Sequence, residues 1–375
     1  AHCPPRADSL LWAKTAPRLV FLWNESGRRF MDIYAYDAAA KKRVRLTALE
    51  FAKDPFNPAG DESDERLKSH RMPDAGLGSF AVSDDGKRVA YSWKGDLYLV
   101  PADGAGAPFR LTQTKAAESS PRFSPDGTKL AYSRGGDIFV QDLSTGAVVQ
   151  AAEGGGAFQF SPDGKFILYS ARGGGAGTRM QVLPNYSGRF VTARPFPRSV
   201  AGDEPSSSTL FVVPVGGGKP VRLGEGAAAE WSPNSKEVLV EVRTADRKKL
   251  TLRVYDAESG KARTLQEITD ARWVAHTYSM WSPDGKWVAF TKDSDGFIHL
   301  YRVPAAGGEV SQITRGNWEL DTERFAFAPQ WVGERLFYAS TEAGTNERQY
   351  YSILPDGTGK TRLSRREGIN VGVVQ

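Results

Sequence analysis

A tetrapeptide turn, Ser-Pro-Asp-Gly, recurs along this 375-residue chain. It stands at residues 124–127, 161–164 and 282–285, and a strand-like apolar segment follows each copy. Proline fixes φ at the second position, aspartate tolerates the bend and glycine accepts a positive φ, so each copy predicts a tight turn between two strands. The chain is therefore expected to be built from repeated hairpin units.

The spacing of these units predicts the architecture. Gly86, Gly127 and Gly164 occupy the same place in successive units and lie about 40 residues apart, which is the spacing of propeller blades. About seven units are visible, at 16–42, 82–104, 123–146, 160–174, 231–260, 281–308 and 331–357. We therefore predict an all-β fold: a β-propeller of about seven visible four-stranded blades, seven- or eight-bladed in the parent protein, with PD40/WD40-like repeats in a single domain over residues 1–375.

Composition agrees with this fold. Thirty-nine glycines and 22 prolines suit many short strands joined by tight turns, and 40% hydrophobic residues suffice for a large core. A single blade would leave both faces of its sheet exposed, so blades must stack and bury aromatic and aliphatic side chains between neighbours. We expect a core that is distributed between sheets.

Two insertions interrupt the repeat, at about 50–77 and 172–205. The first is expected to include a short helix around residues 61–70. In the second, the strand-like part of LPNYSGRFVTARP (183–195) is expected to belong to a blade. Insertions in repeat proteins often lie on the binding face, so Arg194, Arg198 and Glu204 are candidate contacts for a peptide or partner domain. A solvated surface loop is the alternative for these charges.

The sequence offers little for catalysis or metal binding. No Gly-x-Ser-x-Gly motif is present, so the nucleophile turn of an α/β-hydrolase is missing. The four histidines, His2, His70, His276 and His299, form no metal-binding spacing, and Cys3 is the lone cysteine. His299 lies in strand-like sequence beside aromatics and is expected to be packed or hydrogen-bonded. No catalytic residue, metal or cofactor is assigned.

Charge and hydropathy narrow the range of partners. The net charge of +5 comes from 49 basic and 44 acidic residues that are mixed along the chain, so no concentrated basic surface for nucleic acid is expected. No apolar run reaches the roughly 20 residues that cross a bilayer. Nucleic acid and a membrane span are therefore not expected.

Four segments resemble a known family: the SPDG repeats, FLWNESGRRFMDIYAYD (21–37), LPNYSGRFVTARPFPR (183–198) and DGFIHLYRVPAAGGEVSQITRGNWEL (295–320). Together they are similar to the N-terminal β-propeller of the prolyl oligopeptidase (S9) family. The last segment looks like its dipeptidyl peptidase IV and acylaminoacyl peptidase branch. The resemblance implies a catalytic α/β-hydrolase domain in cis, which this chain lacks, and a periplasmic or secreted location, with a cytoplasmic one as the alternative.

The resemblance implies a non-catalytic propeller that gates peptide substrates and orients them toward a serine nucleophile on the hydrolase domain. The family's paired-glutamate anchor for a substrate amine has no match, because no two glutamates are adjacent in this sequence. The SPDG repeat also occurs in TolB-like propellers, so a stand-alone scaffold that binds a protein partner is the alternative function. A third possibility is an enzyme that works from axial carboxylates contributed by distant blades.

Overall fold

The structure is a computed structural model that describes residues 7–25, 31–49, 77–173, 179–185, 192–198, 207–226, 228–275, 277–293, 296–321, 328–370 and 374. Strands 179–185 and 192–198 are described by their backbone alone. Every regular element in these ranges is a β-strand, and seven of the eight sheets have four strands. The predicted all-β fold with seven four-stranded blades is confirmed. The helix expected around residues 61–70 lies outside the described residues.

The chain divides into two compact units. The first unit holds the first three four-stranded sheets and a two-stranded hairpin. Its strands are β1 (Ala7–Trp12), β2 (Arg18–Trp23), β3 (Asp32–Asp37), β4 (Lys42–Arg45), β5 (Ser79–Val82), β6 (Arg88–Trp93), β7 (Asp96–Pro101), β8 (Phe109–Arg110), β9 (Glu118–Phe123), β10 (Lys129–Arg134), β11 (Asp137–Asp142), β12 (Val148–Ala152), β15 (Arg179–Asn185) and β16 (Thr192–Arg198).

The second unit holds the remaining four sheets. Its strands are β13 (Phe158–Phe160), β14 (Phe166–Gly173), β17 (Ser207–Pro214), β18 (Val221–Glu225), β19 (Ala228–Trp231), β20 (Glu237–Arg243), β21 (Lys249–Asp256), β22 (Ala262–Thr269), β23 (Ser279–Trp281), β24 (Trp287–Asp293), β25 (Ile298–Pro304), β26 (Ser311–Gln312), β27 (Gln330–Val332), β28 (Arg335–Ser340), β29 (Gln349–Ile353) and β30 (Thr361–Arg362).

Each four-stranded sheet is an antiparallel meander, since consecutive strands of the sheet pair side by side. The fourth sheet departs from this rule because its order is β13-β14-β17-β18. Among the described residues, strands β15 and β16 pair with each other alone, in a separate two-stranded sheet. The expectation that the strand-like part of 183–195 belongs to a blade is therefore wrong. The fourth sheet completes itself with β17 and β18, which leaves the inserted hairpin no position in the ladder.

The Ser-Pro-Asp-Gly turns have the predicted conformation and a shared hydrogen-bond pattern. In the third sheet the Ser124 hydroxyl donates to Asp126 at 2.6 Å and accepts the backbone N–H of Lys129 at 2.9 Å. Asp126 also accepts the N–H of Thr128, and Gly127 has a φ of +69°. The bond from Ser124 is the largest cause that lowers the pKa of Asp126. The side-chain bonds thus close the turn around an ionised carboxylate.

The same serine-to-carboxyl or serine-to-amide bond recurs in four other sheets. It joins the pairs Ser83 and Asp85, Ser161 and Asp163, Ser232 and Asn234, and Ser282 and Asp284. In all four, the serine hydroxyl also accepts the backbone N–H at the start of the second strand. The repeat in the sequence is therefore a repeat of one hydrogen-bonded turn.

These turns also contact the neighbouring sheet within each unit. Arg88 of the second sheet donates to the carbonyl of Gly127 in the turn of the third sheet. The backbone N–H of Asp163 donates to Ser235 at 2.9 Å, which joins the turns of the fourth and fifth sheets. A Cβ on Gly285 would lie 3.8 Å from Pro233, so the turns of the fifth and sixth sheets touch. The turns therefore fix the spacing of adjacent sheets.

The hydrophobic core lies in layers between neighbouring sheets of a unit, as the repeat predicts. One cluster joins the first and second sheets through Val20, Ile33, Val89 and Tyr91. Another joins the sixth and seventh sheets around Tyr338. Burying each such large side chain contributes roughly 1.5–3 kcal/mol. Stability is therefore spread over several interfaces.

We predict that Ser124→Ala lowers the free energy of unfolding by about 1–2 kcal/mol, because it removes the bond to Asp126 and the acceptor for the Lys129 N–H. The measurement is urea unfolding followed by circular dichroism. Ser144→Ala is the matched control. Ser144 also donates to an aspartate, Asp142, but it is exposed, and Asp142 keeps backbone bonds from residues 144 and 145. Equal losses in the two variants would contradict the role given to the turn.

Candidate functional site

The hairpin of β15 and β16 carries two of the three residues proposed from sequence as peptide contacts. Leu183 pairs with Arg194, and Arg179 pairs with Arg198. Because alternate residues of a strand share a face, positions 194 and 198 lie on one face of β16. Glu204 lies outside the described residues. The structure thus places both arginines on one strand of the inserted hairpin.

His299 has the structural role expected from its sequence context. Its side chain is fully buried, with Nδ1 3.1 Å from the Thr314 hydroxyl oxygen and Nε2 3.0 Å from the carbonyl oxygen of Gly316. The Trp318 ring packs edge-on at 4.9 Å. Both ring nitrogens are occupied, so this imidazole fixes a loop after β26. His2, His70 and His276 lie outside the described residues.

Sequence reasoning missed a pair of glutamates in the fifth sheet. Glu230 pairs with Leu239, and Glu241 pairs with Ala228, so the two glutamates occupy diagonal positions on one face of β19 and β20. Glu241 is buried and Glu230 is partly exposed. A serine of the next sheet reaches this face, since the Ser279 hydroxyl donates to Glu241 at 2.7 Å.

Burial sets the electrostatics of this pair. It raises the pKa of Glu230 to about 7, with a smaller opposing contribution from a hydrogen bond of the Trp281 backbone. Burial also raises the pKa of Glu241, against the bond from Ser279 and the charge of Arg243. Both carboxyl groups are therefore shielded from water, and the pKa of each lies above its usual value.

The carboxylate of Asp321 also affects the electrostatics near these glutamates. Asp321 forms an ion pair with Arg348 at 2.6 Å. Burial, followed by the charges of Asp321 and Glu241, raises the pKa of Tyr278. Glu241 therefore lies close to Tyr278 and Ser279, which come from the start of the sixth sheet. We call Glu230, Glu241, Tyr278 and Ser279 the acidic cluster.

The chemistry open to the acidic cluster is binding and proton exchange. A carboxyl group that titrates near neutral pH can accept a hydrogen bond from an amine or amide, or can hold a proton until a cation displaces it. The described part of the chain contains no group of three or more metal-ligating side chains. Its one described histidine is buried.

The fold and these elements define a class of protein: a β-propeller with a cluster of partly buried acidic residues and an inserted hairpin. The family described as the dipeptidyl peptidase IV (DPP IV) N-terminal region matches residues 82–161 and 155–374. Because these ranges take in most of the chain, the chain belongs to this family.

Curated relatives carry the same family name. A probable dipeptidyl peptidase 4 of Neosartorya fischeri is 25% identical over 279 residues, which are 62% of this chain and 35% of that protein. Dipeptidyl peptidase 4 of Trichophyton equinum is 23% identical over 327 residues, which are 74% of this chain and 40% of that protein. The chain therefore spans well under half the length of the curated relatives it matches.

Solved structures agree on the fold. The dipeptidyl peptidase 4 of Porphyromonas gingivalis superposes with a TM-score of 0.71 at 18% identity, over 97% of this chain and 54% of that one. A putative dipeptidyl aminopeptidase IV of Bacteroides ovatus superposes with a TM-score of 0.61 at 14% identity, over 95% and 53%. The predicted β-propeller fold and S9 membership are confirmed. No helix long and apolar enough to cross a membrane occurs in the described residues.

We predict that Glu230→Gln leaves stability unchanged in acid and stabilises the protein increasingly as pH rises above about 4.3, with the full gain above about pH 7. A glutamate whose pKa is about 7 when folded and about 4.3 when unfolded holds its proton more tightly in the folded state, so wild-type stability falls as pH rises between these values. The variant should match wild type near pH 4 and exceed it near pH 8 by on the order of 1–3 kcal/mol. Urea unfolding at both pH values measures this.

The exposed Glu258, for which Gln is substituted in the same way, is the control and should change little at either pH. A gain from Glu230→Gln that is equal at both pH values would show that the effect does not come from the titration of this carboxyl group.

Proposed function

We propose that this chain is the peptide-recognition and gating propeller of an S9-type serine peptidase and works with an α/β-hydrolase domain in the same polypeptide. Membership of the dipeptidyl peptidase IV N-terminal family carries the proposal. The relatives that share this region are named as dipeptidyl peptidases and extend well beyond it. The absence of a Gly-x-Ser-x-Gly motif from this chain supports the assignment of bond cleavage to another domain.

Recognition in this proposal uses charge. The guanidinium groups of Arg194 and Arg198 would bind carbonyl or carboxylate oxygens of a peptide, for which the planar fork of arginine is suited. Glu204, in the same insertion, would bind a peptide amine. Glu230 and Glu241 offer a second acidic position for an amine. Because no two glutamates are adjacent in the sequence, release of dipeptides is not part of the proposal.

Gating in this proposal is steric. A propeller built on rigid interlocked turns admits substrates by size, and the inserted hairpin would orient those that enter. Both effects act on substrate binding and position, while the chemical step belongs to the hydrolase serine. A periplasmic or secreted location is proposed on the same family resemblance.

The test is the Arg194→Ala, Arg198→Ala double variant in the native-length polypeptide, assayed on short peptide substrates. We expect kcat/KM to fall by about tenfold or more, mostly through KM, because lost binding contacts that act before and during reaction raise KM. Labelling of the active serine by a fluorophosphonate probe should stay at the wild-type level. Arg365→Ala, which changes an exposed arginine elsewhere, is the matched control.

Unchanged kinetics in the double variant would remove the hairpin from the proposal. A native polypeptide that shows no serine labelling and instead retains a folded protein partner would favour the TolB-like scaffold over the peptidase propeller.

A further inference from the structure

The seventh sheet breaks the turn pattern of the other six. In the sixth sheet Trp281 pairs with Val288, seven positions later, and the first five sheets keep the same interval between their first two strands. In the seventh sheet Trp331 pairs with Leu336, only five positions later. Gly333 and Glu334 make the connection there in place of a Ser-Pro-Asp-Gly turn. The turn of the seventh sheet is therefore two residues short.

A cleft opens where the longer turn would lie. The turns of the fourth, fifth and sixth sheets touch one another in sequence, through Ser235 and through Gly285. Between the sixth and seventh sheets there is instead a cavity of about 720 Å³, within the range of ligand-binding pockets. Its walls are three turns, 282–284, 333–334 and 354–356, and its floor includes Trp287, Arg302 and Trp331. We call it the turn cleft.

Arg302 is among the residues that line the turn cleft. Its guanidinium lies 4.3 Å from the centre of the Trp287 ring, which holds it in place. Its Nε is buried and has no hydrogen-bond acceptor among the described residues. In the second sheet, the guanidinium of Arg88 donates to the carbonyl of Gly127 in the turn of the third sheet, so a turn carbonyl can accept from an arginine in this fold. Arg302 is partly exposed, and a guanidinium offers several N–H donors, so a ligand that supplies a carbonyl oxygen is favoured in the cleft.

The remaining walls are apolar and acidic. Trp231 and Trp281 end the first strands of their sheets and are buried, whereas the equivalent Trp331 is partly exposed in the turn cleft, as is Trp287. Pro283, Leu354 and Pro355 extend this apolar surface.

Three carboxyl groups, Asp284, Glu334 and Asp356, stand among the lining residues against the single guanidinium of Arg302. Hydrogen bonds from Ser282 and from the Thr358 backbone are the largest causes that lower the pKa values of Asp284 and Asp356, respectively, so both are ionised at neutral pH. Lys286 offsets part of this charge through its ion pair with Asp284.

We propose that the turn cleft binds an extended segment of a partner polypeptide that carries an apolar side chain next to a basic one. A backbone carbonyl of the segment accepts from Arg302, the apolar side chain packs on Trp287 and Trp331, and the basic side chain meets the acidic rim. A peptide is favoured because its backbone supplies a carbonyl oxygen and its side chain supplies an apolar group. Between other sheets, the turn of the neighbouring sheet supplies such groups. The site is independent of the hairpin and of the proposed peptidase function.

The experiment measures binding of a fluorescently labelled peptide, acetyl-Gly-Leu-Lys-Gly-Gly-amide, to the 375-residue chain by fluorescence anisotropy. The capped ends exclude recognition of a free amine or carboxylate, so the result does not depend on substrate binding for a hydrolase. We expect the peptide to bind, and versions with Glu for Lys or Gly for Leu to bind about tenfold more weakly, a difference of about 1.4 kcal/mol. Arg302→Gln and Trp331→Ala should each weaken binding by a similar factor.

A graft separates loss of the cleft from loss of folding. Replacing Val332-Gly333-Glu334 with Ser-Pro-Asp-Gly-Lys restores the longer turn, and should abolish peptide binding while the circular dichroism spectrum is kept. Trp273→Ala is the matched control, because Trp273 is an exposed tryptophan outside the cleft, and it should leave binding unchanged.

The proposal is overturned if the peptide does not bind, if the grafted protein binds it as tightly as wild type, or if Trp273→Ala weakens binding as much as Trp331→Ala. Binding of a neutral hexasaccharide in the cleft, blocked by the graft and without any peptide binding, would also overturn it in favour of a carbohydrate ligand, for which tryptophans and carboxylates are equally suited.

Discussion

A hydrogen bond from a serine hydroxyl to the aspartate or asparagine two residues later organises five of the seven four-stranded sheets. It closes the turn between the first two strands of the sheet, as Ser124 and Asp126 show at 2.6 Å. It also holds the turn in a shape that touches the neighbouring sheet, as at Gly127. The same local bond closes the hairpin and helps to space adjacent sheets. Repetition of a short motif can therefore build a large protein whose core lies in layers between sheets.

Function is expected where this regularity is interrupted. The hairpin of β15 and β16 is inserted between two strands of the fourth sheet and takes part in no blade. Glu230 places a charged group on a first strand, at a partly buried position that raises its pKa to about 7. The short turn of the seventh sheet leaves a cleft, whereas the turns of the fourth, fifth and sixth sheets touch one another. Each departure breaks the regularity of the repeat, and such irregular positions on a regular scaffold are where binding residues are expected.

Much of the fold could be predicted from the sequence because the turn is a local feature. Proline, aspartate and glycine at 124–127 specify the bend, and the apolar segment that follows specifies the strand. The same reasoning assigned His299 correctly, from its neighbours in one strand. It failed for the 183–195 segment, because strand propensity does not reveal which ladder a strand joins.

The acidic cluster could not be found from sequence because it depends on register between strands. Glu230 and Glu241 are far from adjacent along the chain, and they share a face only through the pairing of β19 with β20. Ser279 comes from another sheet. The one local signal was a glutamate directly before the Trp-Ser-Pro turn at 231–233, where the third, fourth and sixth sheets have arginine, glutamine and methionine.

The central claim is that this propeller serves a serine hydrolase domain in the same polypeptide. The most direct measurement is the mass of the native polypeptide in its host, detected with an antibody against this propeller, together with peptidase activity in the same fraction. We expect a product larger than 41.0 kDa by about one further domain, with activity that serine-directed inhibitors abolish. A product near 41.0 kDa without peptidase activity would contradict it.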